Sequence, residues 1–484
     1  MNKHCKFQLI LAAGLTALAS CSGPEEHDGV LIANVNIVDT ADKTIRLAQD
    51  ILIRDDRIVA IADTGSVTNY SEKFDAAGAY ATAGLYDAHT HIDTSVRLEL
   101  MLPEIYGEQV TADEIDDDQV PYMAYGITGI VVFQGNDDIL AARERAREND
   151  KFIPRILTAG PILDGPDSHN PVHLKIASPE EGIAAVNEAA EKGYDFIKPY
   201  HIQDLATRNA IIERAVELGL PVAGHVPPGM SFDDALVPGF SNVAHAEEIT
   251  RTWDGEDADY FSNAVRLMAE HKISFTPHLV GYREIADEIE DIEARLASLD
   301  WALTPPLARV YAAPPFNGYV EDFGGEDIRE RAAAYFRRIG DAMDGLVLEA
   351  HHADVMLLAG TDVGNPTMFA GQALYREMAL LKGAGLDGYD VIAAATINPA
   401  KLFGEENERG SIAIGKVADI ALFDINPVEA DGLERGNILA VVKNGVLFDR
   451  DRIEAELTRV SANYDAREKR YFDAAIAARG SDSQ

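Results

Sequence analysis

The chain has almost no cysteine: two residues in 484, Cys5 and Cys21. Both stand near its beginning, which excludes a disulfide-stapled scaffold and leaves stability to packing. Positive charge is also scarce, with 42 Lys and Arg against 81 Asp and Glu and a formal net charge of -39. Such a polyanion is repelled by nucleic acid and by anionic lipid, so neither is an expected partner. Long apolar runs are missing too. The stretch "FQLILAAGLTAL" is too short to span a bilayer as a mature helix. What the chain does have is 47% hydrophobic content over a length that can bury a large core. By length alone that is roughly two or three domains, and an α/β barrel lowers the count.

The same apolar stretch follows Lys3 and Lys6 and reads as a signal peptide over residues 1–20. It ends in "LASC", Leu18 to Cys21, which resembles the bacterial lipobox, whose cysteine is lipidated and becomes the new N-terminus. Ser22 after it resembles outer-membrane sorting. The expectation is an exported protein, anchored in the bacterial cell envelope through Cys21 alone and facing the periplasm, with residues 21–28 as a polar tether. Loss of Cys5 with the signal peptide leaves no internal disulfide.

Beyond the tether the chain turns β-rich. "GVLIANVNIVDT", "DILIRDDRIVAIAD" and "KFDAAGAYATAG" are short strands broken by polar turns, and "GSIAIGKVADIALFDINP" and "NILAVVKNGVLFDRDR" repeat the texture near the other end. Between them, apolar strands alternate with amphipathic helices. Eight such strands are expected: the opening stretch, "GITGIVVF", "PRILTAG", "YDFIKPY", "LPVAGHV", "SNVAHA", "KISFTPHL" and "VMLLAGTD". The fold expected is α/β: a (β/α)8 TIM barrel over 83–407 with a small β-sandwich domain formed from both ends of the chain, 29–82 plus 408–450. Residues 451–484 read as a C-terminal helical extension.

The opening stretch, "YATAGLYDAHTHID", ends in two histidines one residue apart. A strand turns alternate side chains to one face, so His89 and His91 can reach one metal ion. Alone the pair is weak, and two ordinary polar residues at a strand end explain it as well. Barrel enzymes, however, keep their chemistry at the C-terminal ends of strands. There stand His89 and His91 on the first expected strand, Lys198 on the fourth, His225 on the fifth, His245 on the sixth and Asp362 on the eighth. Imidazole nitrogen and carboxylate oxygen suit zinc and neighbouring divalent ions, whereas calcium wants more oxygen.

"AGLYDAHTH", "YDFIKPY", "LPVAGHV", "GFSNVAHAEE", "LLAGTDVG", "AAATINPAKLFG" and "GSIAIGKVADIALFD" together resemble the amidohydrolase superfamily, closest to its imidazolonepropionase-like and prolidase-like branch. Two departures stand out: Ala83 where the opening motif usually has proline, and Val132 and Phe133 where an Arg-Asp pair is common. The second makes an apolar wall where some relatives carry charge.

The resemblance implies two divalent metal ions, zinc by default, with His89, His91 and Asp362 holding the first and His225 and His245 the second. Lys198 would be carboxylated, its carbamate bridging the ions. Two ions about 3.5 to 4 Å apart would share a water and supply a bridging hydroxide. Asp362 would carry its proton to the leaving nitrogen. Tyr200 is a candidate oxyanion donor or an amphipathic rim residue; His278 is a further catalytic candidate and His169 a substrate-binding one. The irregular stretch 279–325 carries Tyr311, Phe316 and Tyr319 as an apolar wall, with Arg283 and Arg309 as a clamp for a substrate carboxylate, unless it is a packing insertion or a homo-oligomer contact. The function expected is hydrolysis of C–N amide bonds in dipeptide-like or N-acyl amino-acid substrates. Opening of a cyclic amide, deamination of a ring and a non-catalytic metal-binding envelope lipoprotein are the alternatives.

Overall fold

A computed structural model describes residues 29–481, apart from 93–109, 149, 251–252, 254–259, 314–315, 318–324 and 365–366. The signal peptide, the tether with Cys21, and Tyr319 lie outside the described residues.

The fold is mixed α/β. The N-terminal segment forms β1 (Val30–Asp39), β2 (Thr44–Arg54), β3 (Arg57–Asp63), β4 (Glu72–Asp75) and β5 (Tyr80–Ala83). The parallel strands follow as β6 (Leu85–Thr90), β7 (Ile127–Val132) and β8 (Arg155–Thr158). After the short pair β9 (Leu163–Asp164) and β10 (Leu174–Lys175) come β11 (Ala223–Gly224), β12 (Asn242–Ala244) and β13 (Ser274–Thr276). The last three are β14 (Ile420–Phe423), β15 (Ile438–Lys443) and β16 (Val446–Asp449).

Strands from both chain ends share one sheet, in the order β16-β15-β14-β5-β1-β2-β3, with β4 beside β1. The antiparallel pairing of β5 with β14, Ala83 opposite Ile420 and Tyr80 opposite Phe423, joins the two ends. Alternation sorts the side chains of β14: Ile420 and Leu422 join Ile32, Val35, Ile37, Ile51 and Ile53 in the sheet's own core, while Ala421 and Phe423 join the large core of the middle segment. A side chain the size of Phe423, buried outright, contributes about 2 kcal/mol. The β15–β16 hairpin turns on Asn444 and Gly445, both at positive φ, as a two-residue turn requires. A Cβ on Gly445 would stand 1.9 Å from the Asp55 carbonyl oxygen.

In the middle segment β6, β7 and β8 pair in parallel, as do β11, β12 and β13. Single parallel bridges extend the series: Ala159 with Phe196, Ile197 with Val222, Phe275 with Leu357, and Thr90 with Val363. The expected strands at "YDFIKPY" and "VMLLAGTD" thus appear as bridged extended chain rather than regular strands. The C-terminal helix, Arg450–Ser481, lies along the helix Ala112–Asp117 and the helix Pro306–Ala312 of the insertion. Tyr471 and Ala475 pack on Leu307, Val310 and Tyr311. Among the described residues no helix is long and apolar enough to cross a membrane.

Candidate metal centre

The ends of the parallel strands bring the expected ligand types together. His89 and His91 leave β6 on one face, and Asp362 faces them: its Oδ1 lies 3.0 Å from His91 Nε2 and 3.3 Å from His89 Nε2. Backbone pairing fixes that approach, since the Asp362 N–H donates to the His89 carbonyl at 2.8 Å. Below them the buried Asp87 accepts from the Thr361 hydroxyl at 2.6 Å and from the backbone N–H of Thr361 and His89, which ties the first strand end to the last. Burial pushes its carboxyl up to about 7 against those hydrogen bonds.

His225 and His245 directly follow β11 and β12, and His278 stands two residues beyond β13. Their rings form a continuous cluster: centroids are 4.6 Å apart for His225 and His245, 4.3 Å for His245 and His278, and 4.8 and 4.4 Å from His89 to His245 and His278. His245, His278 and Asp362 all have φ near +60° (70, 54 and 58°). Non-glycine residues hold that conformation at a cost, and such residues concentrate at functional sites.

Burial pulls the imidazoles below their usual range, His225 to about 4 and His278 to about 3, with His89 and His245 held well below it. These rings are neutral at pH 7. Burial alone would raise Asp362, but His245, His89 and His91 outweigh it and hold the carboxyl well below the ordinary range. An ionised carboxylate among neutral imidazoles is a donor set for a divalent transition metal. His89 gives the sharper observation. Among the described residues neither of its buried ring nitrogens has an aligned hydrogen bond, while its face stacks on Phe133 at 3.5 Å. His89, His91 and Asp362 form one group with ligand atoms within 4.8 Å of one another; His89, His245 and His278 form a second, and His201, His225 and Glu248 a third.

Lys198 is buried, its Nζ 4.8 Å from the centre of the Phe133 ring. Burial lowers it to about 8, with Asp362 and Glu248 pulling the other way. Tyr200 lies against His225 at 4.1 Å and His201 at 4.0 Å.

Of the three residues expected at the substrate, two are engaged elsewhere in the structure. His169 is exposed and joins none of these contacts; His173 instead bonds Asp164 at 2.9 Å and meets the Tyr200 ring at 5.3 Å. Arg283 donates to Asp344 and the Gly340 carbonyl, pinning two helices together. Arg309 is buried and binds Asp465 and Glu468 of the C-terminal helix, both at 2.9 Å, and the Thr304 carbonyl. These guanidinium groups are engaged in packing. Sequence reasoning missed Glu248, whose Oε1 is 2.7 Å from His225 Nδ1, and His201, whose Nε2 is 4.0 Å from the same oxygen. Their only signal was proximity in "KPYH" and "HAEE".

The profile of the amidohydrolase family matches residues 80–448, well over half of the chain. No curated protein matches. Among solved structures, a prolidase complexed with N-methylphosphonate-L-proline is 19% identical, with 87% of this chain and 99% of that one covered at a TM-score of 0.66. The bottromycin amidohydrolase is 23% identical, covering 91% of each chain at 0.65. The ochratoxinase of A. niger is 17% identical, covering 87% and 95% at 0.62.

Proposed function

The chain belongs to the amidohydrolase family, and from that premise we propose that it hydrolyses C–N amide bonds of dipeptide-like or N-acyl amino-acid substrates at a centre of two divalent metal ions. The observation that carries the reading is the Asp362 carboxylate, ionised and within 3.3 Å of both histidines of the H-x-H pair. The order of parallel pairing, which returns from 357–363 to β6, supports a (β/α)8 barrel over 83–407. The shared core of the terminal strands supports a β sandwich built from 29–82 and 408–450.

In this reading His89, His91 and Asp362 hold one ion, and His225 and His245 the other, with zinc the default. When bound, the ions supply an activated water and polarise the scissile carbonyl. Asp362 takes the proton of the attacking water at a carboxylate oxygen and returns it to the leaving nitrogen, without which an amine departs slowly. Addition of CO2 to Lys198 would form an N–C bond, release two protons from the ammonium and turn a buried cation into an anion able to serve as a ligand to the ions. Tyr200, packed on His225, donates its hydroxyl to the carbonyl oxygen. Phe133 and Phe196 line the floor and exclude water. The solved prolidase complex with a proline phosphonate favours a dipeptide-like substrate.

The test is an assay of the zinc-loaded protein against dipeptides, N-acyl amino acids and cyclic amides. Release of a free amino acid is expected. Ring opening without a second product, or release of ammonia, would redirect the reading to a cyclic-amide hydrolase or a deaminase; inertness towards all three would leave a binding protein. The envelope location is part of the same proposal: Cys21→Ser is expected to release the protein from the membrane fraction or stall its processing, and unchanged fractionation would count against the anchor.

A further inference from the structure

Hydrogen-bond partners sort the clustered histidines by which ring nitrogen keeps its proton. His225 sets its Nδ1 2.7 Å from Glu248 Oε1, with both side chains buried. A carboxylate only accepts, so Nδ1 carries the hydrogen and Nε2 keeps a lone pair, the form a metal ligand needs. His278 is held the opposite way. The backbone N–H of His245 points at His278 Nδ1 across 3.1 Å while sharing its hydrogen with the Thr276 carbonyl at 2.9 Å. A hydrogen on Nδ1 would face the hydrogen of that N–H, so Nδ1 must be the acceptor and Nε2 must carry the proton. His278 Nε2 is buried and makes no hydrogen bond among the described residues.

The ring is packed on two sides and its backbone is fixed. Its backbone is at φ 54°, and Glu377 accepts from the Val280 N–H at 2.8 Å to fix the turn that follows. The ring lies edge-on to His89 at 4.4 Å and against His245 at 4.3 Å.

We propose that His278 is not a third ligand beside His89 and His245 but a neutral Nε2–H donor to the carbonyl oxygen of the substrate, and thus to the oxyanion that forms there. The role rests on the amide-hydrolase reading; the tautomer does not. A fixed neutral donor in a buried site stabilises developing negative charge without reorganising, and loss of one such donor costs on the order of 10²-fold in turnover.

Three substitutions in the full chain separate donor from ligand. A glutamine amide can place an N–H near the former Nε2, whereas asparagine reaches only as far as Nδ1 and phenylalanine offers no donor. Expected for all three is full zinc content by mass spectrometry. His278→Phe and His278→Asn should lose on the order of 10²-fold in kcat with KM little changed, and His278→Gln should regain much of that loss. Loss of zinc from His278→Phe and His278→Gln alike would make His278 a ligand and overturn the proposal. So would wild-type turnover in His278→Phe, or a His278→Gln as slow as His278→Phe. Long-range 15N–1H correlation on histidine-labelled wild-type protein reads the tautomer directly and needs no variant to fold. A protonated Nδ1 on His278 would refute the assignment. If the wild-type protein hydrolyses no amide while His278 shows the Nε2–H form, the functional reading fails and the tautomer stands.

Discussion

Two of the buried polar clusters among the described residues are built by opposite rules. In one, the C-terminal helix meets the helix Ala112–Asp117: Asp117 accepts from Arg459 at 2.7 Å and from Asn463 at 2.9 Å and pairs with Arg467 at 2.9 Å, while Glu114 pairs with Arg470. The two acids are almost fully buried, and each has a cation against it. In the other, at the strand ends, His89 has no aligned partner at either nitrogen and His278 none at Nε2 among the described residues, and three residues sit at positive φ. Asp117 and Glu114 are as buried as His89 and His278. Burying a polar group without a partner costs about 1–3 kcal/mol, so a fold tolerates open groups only where something else completes them. The acids of the first cluster are each met by a cation, whereas the imidazoles of the second keep nitrogens open.

The largest effect that would break this contrast is expected at Asp362. Asp362→Asn preserves size but removes the base, and turnover is expected to fall on the order of 10²-fold or more with the melting temperature little changed. Near-wild-type activity in a variant that still holds its metal would end the assigned role. Lys198→Ala comes next. If the lysine bridges as a carbamate, bound metal falls from two per chain towards one or none and activity falls with it; a small added carboxylic acid restores part of the rate and an added amine does not. Mass spectrometry of metal content decides, and full occupancy with unchanged activity would rule out the bridge.

Much of this was legible in the sequence, for reasons that lie in periodicity. Alternation along β6 put His89 and His91 on one face, and strand ends on this topology converge, so Lys198, His225, His245 and Asp362 could be assembled from spacing and resemblance alone. The supporting groups were not legible. Glu248 reaches His225 across 23 residues and His173 reaches Asp164 across nine, through loops whose course no local pattern encodes. The partners of Arg309 were hidden for the same reason. A cation in an apolar stretch looks like a substrate clamp until the C-terminal helix brings Asp465 and Glu468 to it from 156 and 159 residues away.

A smaller effect sharpens the scaffold side. Asp117→Asn leaves Arg459 and Arg467 without their shared carboxylate next to a buried amide. Removing one partner of such a network destabilises by about 3 kcal/mol, less where the arginines reach solvent, as Arg459 does. Chemical denaturation should show the loss with kcat and KM unchanged; a shifted KM would mean that the C-terminal helix shapes the substrate site as well as supporting it.

The smallest expected effect discriminates the two readings of Arg309. As a clamp for a substrate carboxylate, Arg309→Met should raise KM by an order of magnitude or more, since a charge-assisted pair is lost on binding. The geometry argues otherwise. Two nitrogens of Arg309 serve Asp465, Glu468 and the Thr304 carbonyl, and the third, Nη2, is buried with no hydrogen bond among the described residues. Methionine keeps most of the apolar stem that packs in the insertion and removes the unsatisfied donor. The acids it abandons reach water, Asp465 at 68% side-chain exposure and Glu468 at 34%, so neither is left as a buried unpaired charge. Replacing a buried ion by an apolar side chain of similar volume is often close to neutral. Stability is therefore expected to change by no more than about 1 kcal/mol, with KM unaltered. A tenfold rise in KM at unchanged stability would return Arg309 to the substrate and move the boundary between scaffold and site into the insertion.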